Sequence, residues 1–304
     1  MKGLVLIFYN ITTRRLNKMN FTQIIFNSDI DYYKTKIFEL FDIEKYMFID
    51  REYDGEHRIR IRGILGDENY ISDILGKKNG FVFITEPDDF FENIEQFILY
   101  CNIHNMLDKV WCKHYFANTV KLEDVIGFCQ EMAENITVKS DEGYNSHFSH
   151  FWGFFHTLTP YQKIRILRIF QKKYQNIKIT EYPLAIDIKT PLNTIEKMIN
   201  MDKLNFFSPQ SLDKIIENGN FASKIHEHTI RNAAESEFYK SKHYILNRWY
   251  LNALYVTLML MNIPVIDKYF INYVMAMEKY PVDEICEMYL KTGEEKLWKR
   301  ENIV

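Results

Sequence analysis

Three arginines alternate along the stretch DREYDGEHRIRIRGIL (50–65), as Arg58, Arg60 and Arg62. Alternate residues of a strand point to opposite faces, so the three guanidiniums share one face and His57, Ile59 and Ile61 share the other. Like charges in such a row repel unless an anion compensates them. Guanidinium forks take carboxylates and phosphates in bidentate fashion. The stretch therefore reads as a site for an anion or an acidic peptide, or as a basic sheet face neutralised locally by Asp50, Glu52 or Glu56.

Two further segments carry groups able to move protons or hold a polar ligand. In SDEGYNSHFSHFWGFFH (140–156), His147 and His150 are three apart and lie on one face of a helix, with Ser146 adjacent. Histidine exchanges protons near neutral pH, which suits a general acid–base role. The competing reading is an aromatic core helix whose histidines hydrogen-bond internally. A zinc site is disfavoured, because no third ligand stands at a recognisable spacing and HFSH is not HExxH. In FYKSKHYILNRWYLNALY (238–255), Ser241, Tyr244, Asn247, Arg248 and Tyr255 recur along one side of a helix, with Tyr250 among its aromatics. Such a stripe faces a wet cavity or another polar segment, or else snorkels at the surface.

The elements that must position these groups can be read from pattern. A strand is expected at 21–28, a helix at 31–46, and strands at 47–53 and 57–65 joined by a turn at Asp54-Gly55. A short helix at 67–76 ending on Gly76 and a strand at 81–85 follow. This order, strand–helix–strand–strand–helix–strand, is that of a ferredoxin-like split βαβ. From residue 88 helices dominate: 88–107 capped by Asp88, 122–136, 145–158, 160–175 with Pro160 at its first position, one helix within 190–201, a long one over about Ile225–Leu260, then 265–280 and 282–298. The fold class is thus α+β, with one domain over 1–304 made of an α/β lobe (1–115) and a mainly helical lobe (116–304).

Bulk properties narrow the function. The 304 residues are 47% hydrophobic and 15% aromatic, ample for a core, and the net charge of −3 gives no global field toward nucleic acid. Cys101, Cys112, Cys129 and Cys286 form no CxxC pair. The apolar run VTLMLMNIPV (256–265) meets Pro264 well short of a membrane span, so a cytoplasmic protein is expected. Gly-rich phosphate loops, a GxSxG elbow and dinucleotide fingerprints are missing, which argues against kinase, serine hydrolase and dehydrogenase chemistry.

Taken together, the three segments resemble the thiopeptide-type bacteriocin biosynthesis proteins, stand-alone relatives of the elimination domain of lantibiotic dehydratases. The strand after the DG turn resembles that family's His-x-Arg-x-Arg strand, with Arg58 where the family has histidine and Arg60 and Arg62 on the arginines. DEGYNSHFSHFWGFF resembles a Ser-His helix in the middle of the family. SKHYILNRWYLNALYVTLMLMNIPVIDKYFINYVMAME (241–278) resembles the C-terminal helices of the pyridine synthase branch. His243, Asn247 and Arg248 also fit the local His-x-x-x-Asn-Arg pattern of glutamate-eliminating members. However, about fifty residues follow it and no Glu-Arg-Tyr-Gly-Gly segment is present.

The resemblance implies an enzyme that joins two dehydroalanines of an azole-bearing precursor peptide in a formal four-plus-two cycloaddition. Loss of water and of the leader peptide then closes a pyridine-centred macrocycle. It implies no metal, nucleotide or flavin, and as partners the precursor peptide and other biosynthetic enzymes, with no nucleic acid and no membrane. His147, Tyr244 and Tyr250 are the implied proton-transfer residues. Arg58, Arg60, Arg62, Ser146, His150, Ser241, Asn247 and Arg248 are the implied peptide-binding residues. The alternatives are glutamate elimination from a split dehydratase and a non-catalytic peptide-binding subunit.

Overall fold

The structure is a computed structural model that describes residues 20–293, apart from 27–29, 44–45, 54–56, 66–67, 77–80, 88–90, 92, 137–139, 180, 183–188, 201–226 and 228–240. Its first part is a four-stranded antiparallel sheet: β1 (Asn20–Phe26), β2 (Met47–Tyr53), β3 (His57–Gly63) and β4 (Phe81–Pro87), in spatial order β2-β3-β1-β4. Helix α1 (Ile30–Ile43) connects β1 to β2, and α2 (Glu68–Leu75) connects β3 to β4. Order and topology are those of the split βαβ expected from the sequence. The Asp54-Gly55 turn lies outside the described residues.

Period-two burial explains the sheet. Ile24, Ile49 and Ile61 sit in one cross-strand row and are fully buried, in one core with Ile37 and Leu40 of α1 and Ile71 and Leu75 of α2. The other face of β2 is buried as well: Phe48 and Asp50 are covered. That face is met by helix α3 (Ile94–Trp111), where Phe48 packs against the rings of Phe97, Tyr100 and His104. Gly63 ends β3 where the chain passes close to β2. A Cβ there would stand 2.6 Å from the Tyr46 carbonyl oxygen, closer than real Cβ atoms come.

Among the described residues the further α-helices are α4 (Leu122–Ile136), α5 (Ser140–Thr157), α6 (Pro160–Asn176), α7 (Lys189–Asn200), α8 (Lys242–Leu260), α9 (Val265–Met277) and α10 (Val282–Thr292). Pro160 opens α6 behind a Thr159–Gln162 capping box, as its fixed φ favours. Gly76 and Gly293 follow α2 and α10 with positive φ, the left-handed conformation that glycine adopts without strain. Several boundaries differ from the sequence expectation, among them the end of α10, which stops at Thr292 before the left-handed Gly293 rather than at 298. β4 stays paired to Pro87, and α3 starts at Ile94, because the Asn93 side chain accepts from the Gln96 N–H at 2.9 Å; Asn93, not Asp88, is the cap. α5 starts five residues earlier than expected, at Ser140. α8 starts only at Lys242, because Ser241 has ψ 127, outside the helical region, and its side chain makes no capping bond.

α8 is the axis of the second part. Residues on every side of it are buried, among them Tyr244, Leu246, Asn247, Arg248, Trp249, Tyr250 and Leu251. A helix buried all round is a core helix, and α8 packs against α3, α4, α5, α7 and β2. The snorkelling alternative for its polar stripe does not hold. α9 lies along α5, and α10 packs on α6. α4 and α5 approach closely at Gly143, where a Cβ would fall 2.6 Å from the Ala133 Cβ and 2.7 Å from its Cα. Gly143→Val is expected to lower the unfolding free energy by about 1–3 kcal/mol or more through overpacking, read by urea denaturation. The clash is with the Ala133 backbone as well as its methyl, so no side-chain rotation relieves it.

Candidate functional site

Two of the three arginines are paired within the sheet. Arg60 grips Asp50 with both branches, Nε to Oδ1 at 2.9 Å and Nη2 to Oδ2 at 3.0 Å. Arg62 Nη2 donates to the same Oδ2 at 2.8 Å, and its guanidinium lies 4.7 Å from the centre of the Phe48 ring. The register explains the clamp: Asp50 is directly opposite Arg60, and Phe48 opposite Arg62. The side chains of Arg60, Arg62 and Asp50 are only 17%, 16% and 7% exposed. The local-neutralisation reading therefore holds for Arg60 and Arg62, which point into packing against α3 rather than open water. Arg58 is half-buried.

Around this clamp the interior is unfriendly to charge. His104 has no exposure and neither ring nitrogen has a hydrogen-bond partner; burial pushes its pKa down to about 3. One helical turn on, Asp108 accepts a very short hydrogen bond from the Tyr115 hydroxyl, and burial raises its carboxyl to about 7.

A second polar cluster is built by α5, α8 and α9. His147 Nδ1 lies 2.8 Å from Asn272 Oδ1, and the Tyr255 hydroxyl donates to the same oxygen at 2.6 Å. Asn272 Nδ2 donates to the Lys268 carbonyl at 2.9 Å, which fixes Oδ1 as the acceptor and so places the His147 proton on Nδ1. His150 Nε2 accepts from Arg248 Nη1 at 2.9 Å, and its ring meets the Tyr255 ring edge-on at 4.9 Å. Asn247 reaches the Gly143 carbonyl at 3.4 Å. The polar stripe of α8 thus faces another polar segment, helix α5.

Exposure separates the members. His147 is 1% exposed, and burial, then the positive Arg248, pull its pKa down to about 4 against the raising effect of Asn272; it is neutral at pH 7. His150 and Tyr255 are half-buried. The Tyr255 hydroxyl is pushed well above its usual pKa by burial, so it stays a donor. On its outer side the Tyr255 ring borders an apolar recess formed with Met259, Ile263, Val265 and Lys268. The Lys268 ammonium lies 5.0 Å from the Tyr255 ring centre and 4.5 Å from that of Tyr269, and burial lowers its pKa.

Of the residues singled out from sequence, His147, His150 and Arg248 come together at Tyr255, with Asn247 beside Arg248 on α8. Tyr250 does not join them: it is buried, and its hydroxyl donates to Met106 Sδ at 2.9 Å on the α3 side; Tyr244 is buried one turn before Arg248 on α8. Ser146 is fully buried, with no hydrogen-bond partner for its Oγ. Ser241 stands outside α8. Asn272 and Lys268 were not singled out. The signal for Asn272 was a lone amide within the apolar run YFINYVMAM (269–277). Among the described residues no cluster of histidine, cysteine and carboxylate side chains could hold a metal ion, and no helix is long and apolar enough to cross a membrane.

The buried ionisable groups set opposing pH dependences. His104 and His147 bind a proton less tightly when folded than at the usual 6.5, so they contribute stability above about pH 6.5 that is lost as pH falls toward 4. Asp108 holds its proton more tightly than at the usual 3.8, so its contribution is present below pH 4 and is lost as pH rises through 7. Between pH 4 and 6.5 the two histidines outweigh the single aspartate, so the joint contribution of these three groups rises with pH. Asp108→Asn removes the opposing slope; denaturation midpoints across this window are expected to rise more steeply with pH in that variant than in the parent.

The molecule so described is an α+β protein: a ferredoxin-like antiparallel sheet backed by a helical lobe in which α5, α8 and α9 build a histidine–arginine–tyrosine cluster. No family model and no curated protein matches the sequence. Among solved structures, the crystal structure of TsrL superposes with a TM-score of 0.54 at 11% identity, covering 92% of this chain and 100% of that one. The pyridine synthase TbtD from thiomuracin biosynthesis gives 0.49 at 9% identity, over 89% and 100%. The chain shares the fold of TsrL.

Proposed function

We propose that this protein acts on a ribosomally made precursor peptide as a pyridine-forming cyclase of thiopeptide assembly. The observation that carries the reading is the meeting of the Ser-His helix, which resembles the family, with the C-terminal helices, which resemble this branch. His147 and Asn272, 125 positions apart, join in one hydrogen-bonded cluster with Tyr255, beside His150 and Arg248. The fold shared with TsrL is compatible with it.

The chemistry asks for little beyond positioning and proton movement. Two distant dehydroalanines must be held together, and well-oriented ends can supply about 7–11 kcal/mol of acceleration. The intervening amide tautomerises to an imidic acid, whose C=N and the first alkene together make an azadiene; its two ends, the first alkene's Cβ and the imidic carbon, bond to the second alkene, and the adduct loses water and the leader amide to reach the pyridine. Each of these steps is balanced without an oxidant or reductant. In this reading the substrate amide enters the recess at Tyr255. The Tyr255 hydroxyl and His150 exchange protons with it, Arg248 holds His150 Nε2, and neutral His147 fixes Asn272 so that Tyr255 is aimed. Tyr244 and Tyr250 shape the core of α8.

The test is incubation of the pure protein with a leader-bearing linear peptide containing two dehydroalanines, and separately with a glutamylated peptide. Mass loss of water plus a leader amide supports the proposal. Loss of glutamate from the second peptide replaces it with elimination, and binding without either reaction replaces it with a presenting subunit. By the same reading the protein works in the cytoplasm with other enzymes of the precursor's maturation.

A further inference from the structure

The outer face of α6 carries an arrangement that the cluster above does not use. Its sequence, PYQKIRILRIFQKKYQN, contains no Asp or Glu, in a protein whose net charge is −3. Two of its cations serve the fold. Lys163 turns inward, donating to the His156 carbonyl at 2.9 Å and to the Leu158 carbonyl, and so caps the end of α5; Lys173 pairs with Asp267 at 2.6 Å. Leu167 and Phe170 complete the buried side. Arg165, Arg168 and Lys172 are exposed, and none of them forms an ion pair with a described residue.

Apolar side chains share that exposed face: Tyr161 is 74% exposed, Ile164 41% and Ile169 45%. With about 3.6 residues per turn, the order around the helix is fixed. Tyr161, Arg168, Lys172 and Arg165 lie along the middle of the outer face, Ile164 borders them on one side and Ile169 on the other. The result is a cationic ridge with apolar margins.

We propose that this face docks an acidic amphipathic helical peptide, one that presents a central row of carboxylates with apolar residues on both sides. Charge complementarity selects the sign of the partner: three cations on one face attract carboxylates, and guanidiniums take them in bidentate fashion. The margins select its shape, since Ile164 and Ile169 gain from burial only against apolar side chains that flank those carboxylates. A lipid surface fits poorly. A helix lying in a bilayer buries an apolar strip and keeps its cations toward water, whereas here the cations occupy the strip that would sink deepest. The inference goes beyond the cyclase reading and is tested by binding alone.

The probe is a fluorescein-labelled helical peptide of Glu, Leu and Ala with glutamates along one stripe and leucines beside it; its Lys-for-Glu counterpart and phosphatidylserine vesicles are controls. Anisotropy is expected to show saturable binding of the acidic peptide that weakens as salt shortens the Debye length. The double variant R165E/R168E should weaken it on the order of tenfold or more, with an unchanged circular dichroism spectrum, and I164S/I169S should weaken it without altering the salt dependence. Equal binding by parent and R165E/R168E, failure of the acidic peptide to bind, or binding to vesicles in its place would overturn the proposal, whatever the outcome of the cyclisation assay.

Discussion

Asp50→Ala is expected to lower the unfolding free energy by about 3–5 kcal/mol, the range for removing one partner of a buried ion pair. The reason is geometric. A single carboxylate serves both Arg60 and Arg62 through 2.8–3.0 Å contacts, and all three side chains are largely shielded from water. Without Asp50 the two guanidiniums, held on one strand face, repel each other in packing against α3. The contribution of the clamp itself is smaller than that loss, because bringing the charges out of water has its own cost. A second variant separates the two. Asp50→Ala combined with Arg60→Met and Arg62→Met removes the uncompensated charge and is expected to recover a large part of the lost stability. A triple variant no more stable than Asp50→Ala, by urea denaturation, would show that the effect comes from packing alone.

The clamp also shows how far the sequence carried. The β2–β3 pair was legible, β2 at both ends and β3 at its start, because two alternating runs stand on either side of Asp-Gly, the pattern of a hairpin. Once Arg60 stands opposite Asp50, neutralisation within the sheet follows from register. Asp50 was named among three carboxylates, and only the register could choose it. Helix ends were less legible. Asp88 and Asn93 are both capable caps, and the choice between them was made by pairing of β4 as far as Pro87, a tertiary event. Ser241 sits in a run whose pattern continues smoothly, so nothing local marks the break before Lys242.

The site divided along a different line. That α8 presents polar groups to a polar neighbour could be read from the spacing of Asn247, Arg248 and Tyr255. Which tyrosine lies at the cluster could not. Tyr250 and Tyr255 are equivalent by type, and they are sorted only by the position of α3 on one side of α8 and of α5 and α9 on the other. The partner that organises the cluster, Asn272, lies 125 positions from His147, a separation across which a single sequence carries no pairing signal.

That amide is where the second large effect is expected. Asn272→Ala leaves the His147 Nδ1–H and the Tyr255 hydroxyl without their shared acceptor, in surroundings that burial has stripped of water. Each buried donor left unpaired costs about 1–3 kcal/mol, so a combined loss of roughly 2–6 kcal/mol is expected in urea denaturation. A structural amide and one that aims a reacting group would both produce that loss, and Tyr255→Phe distinguishes them. It removes one hydroxyl and keeps the His147–Asn272 bond, so its stability should fall by only about 1 kcal/mol. If the hydroxyl exchanges a proton with the substrate amide, turnover of the dehydroalanine peptide should fall by roughly two to four orders of magnitude, the usual contribution of a positioned acid or base, while peptide affinity changes little. Parent-like turnover in a folded Tyr255→Phe protein would remove Tyr255 from the chemistry and leave the Asn272 bonds as supports of the α5–α8–α9 packing.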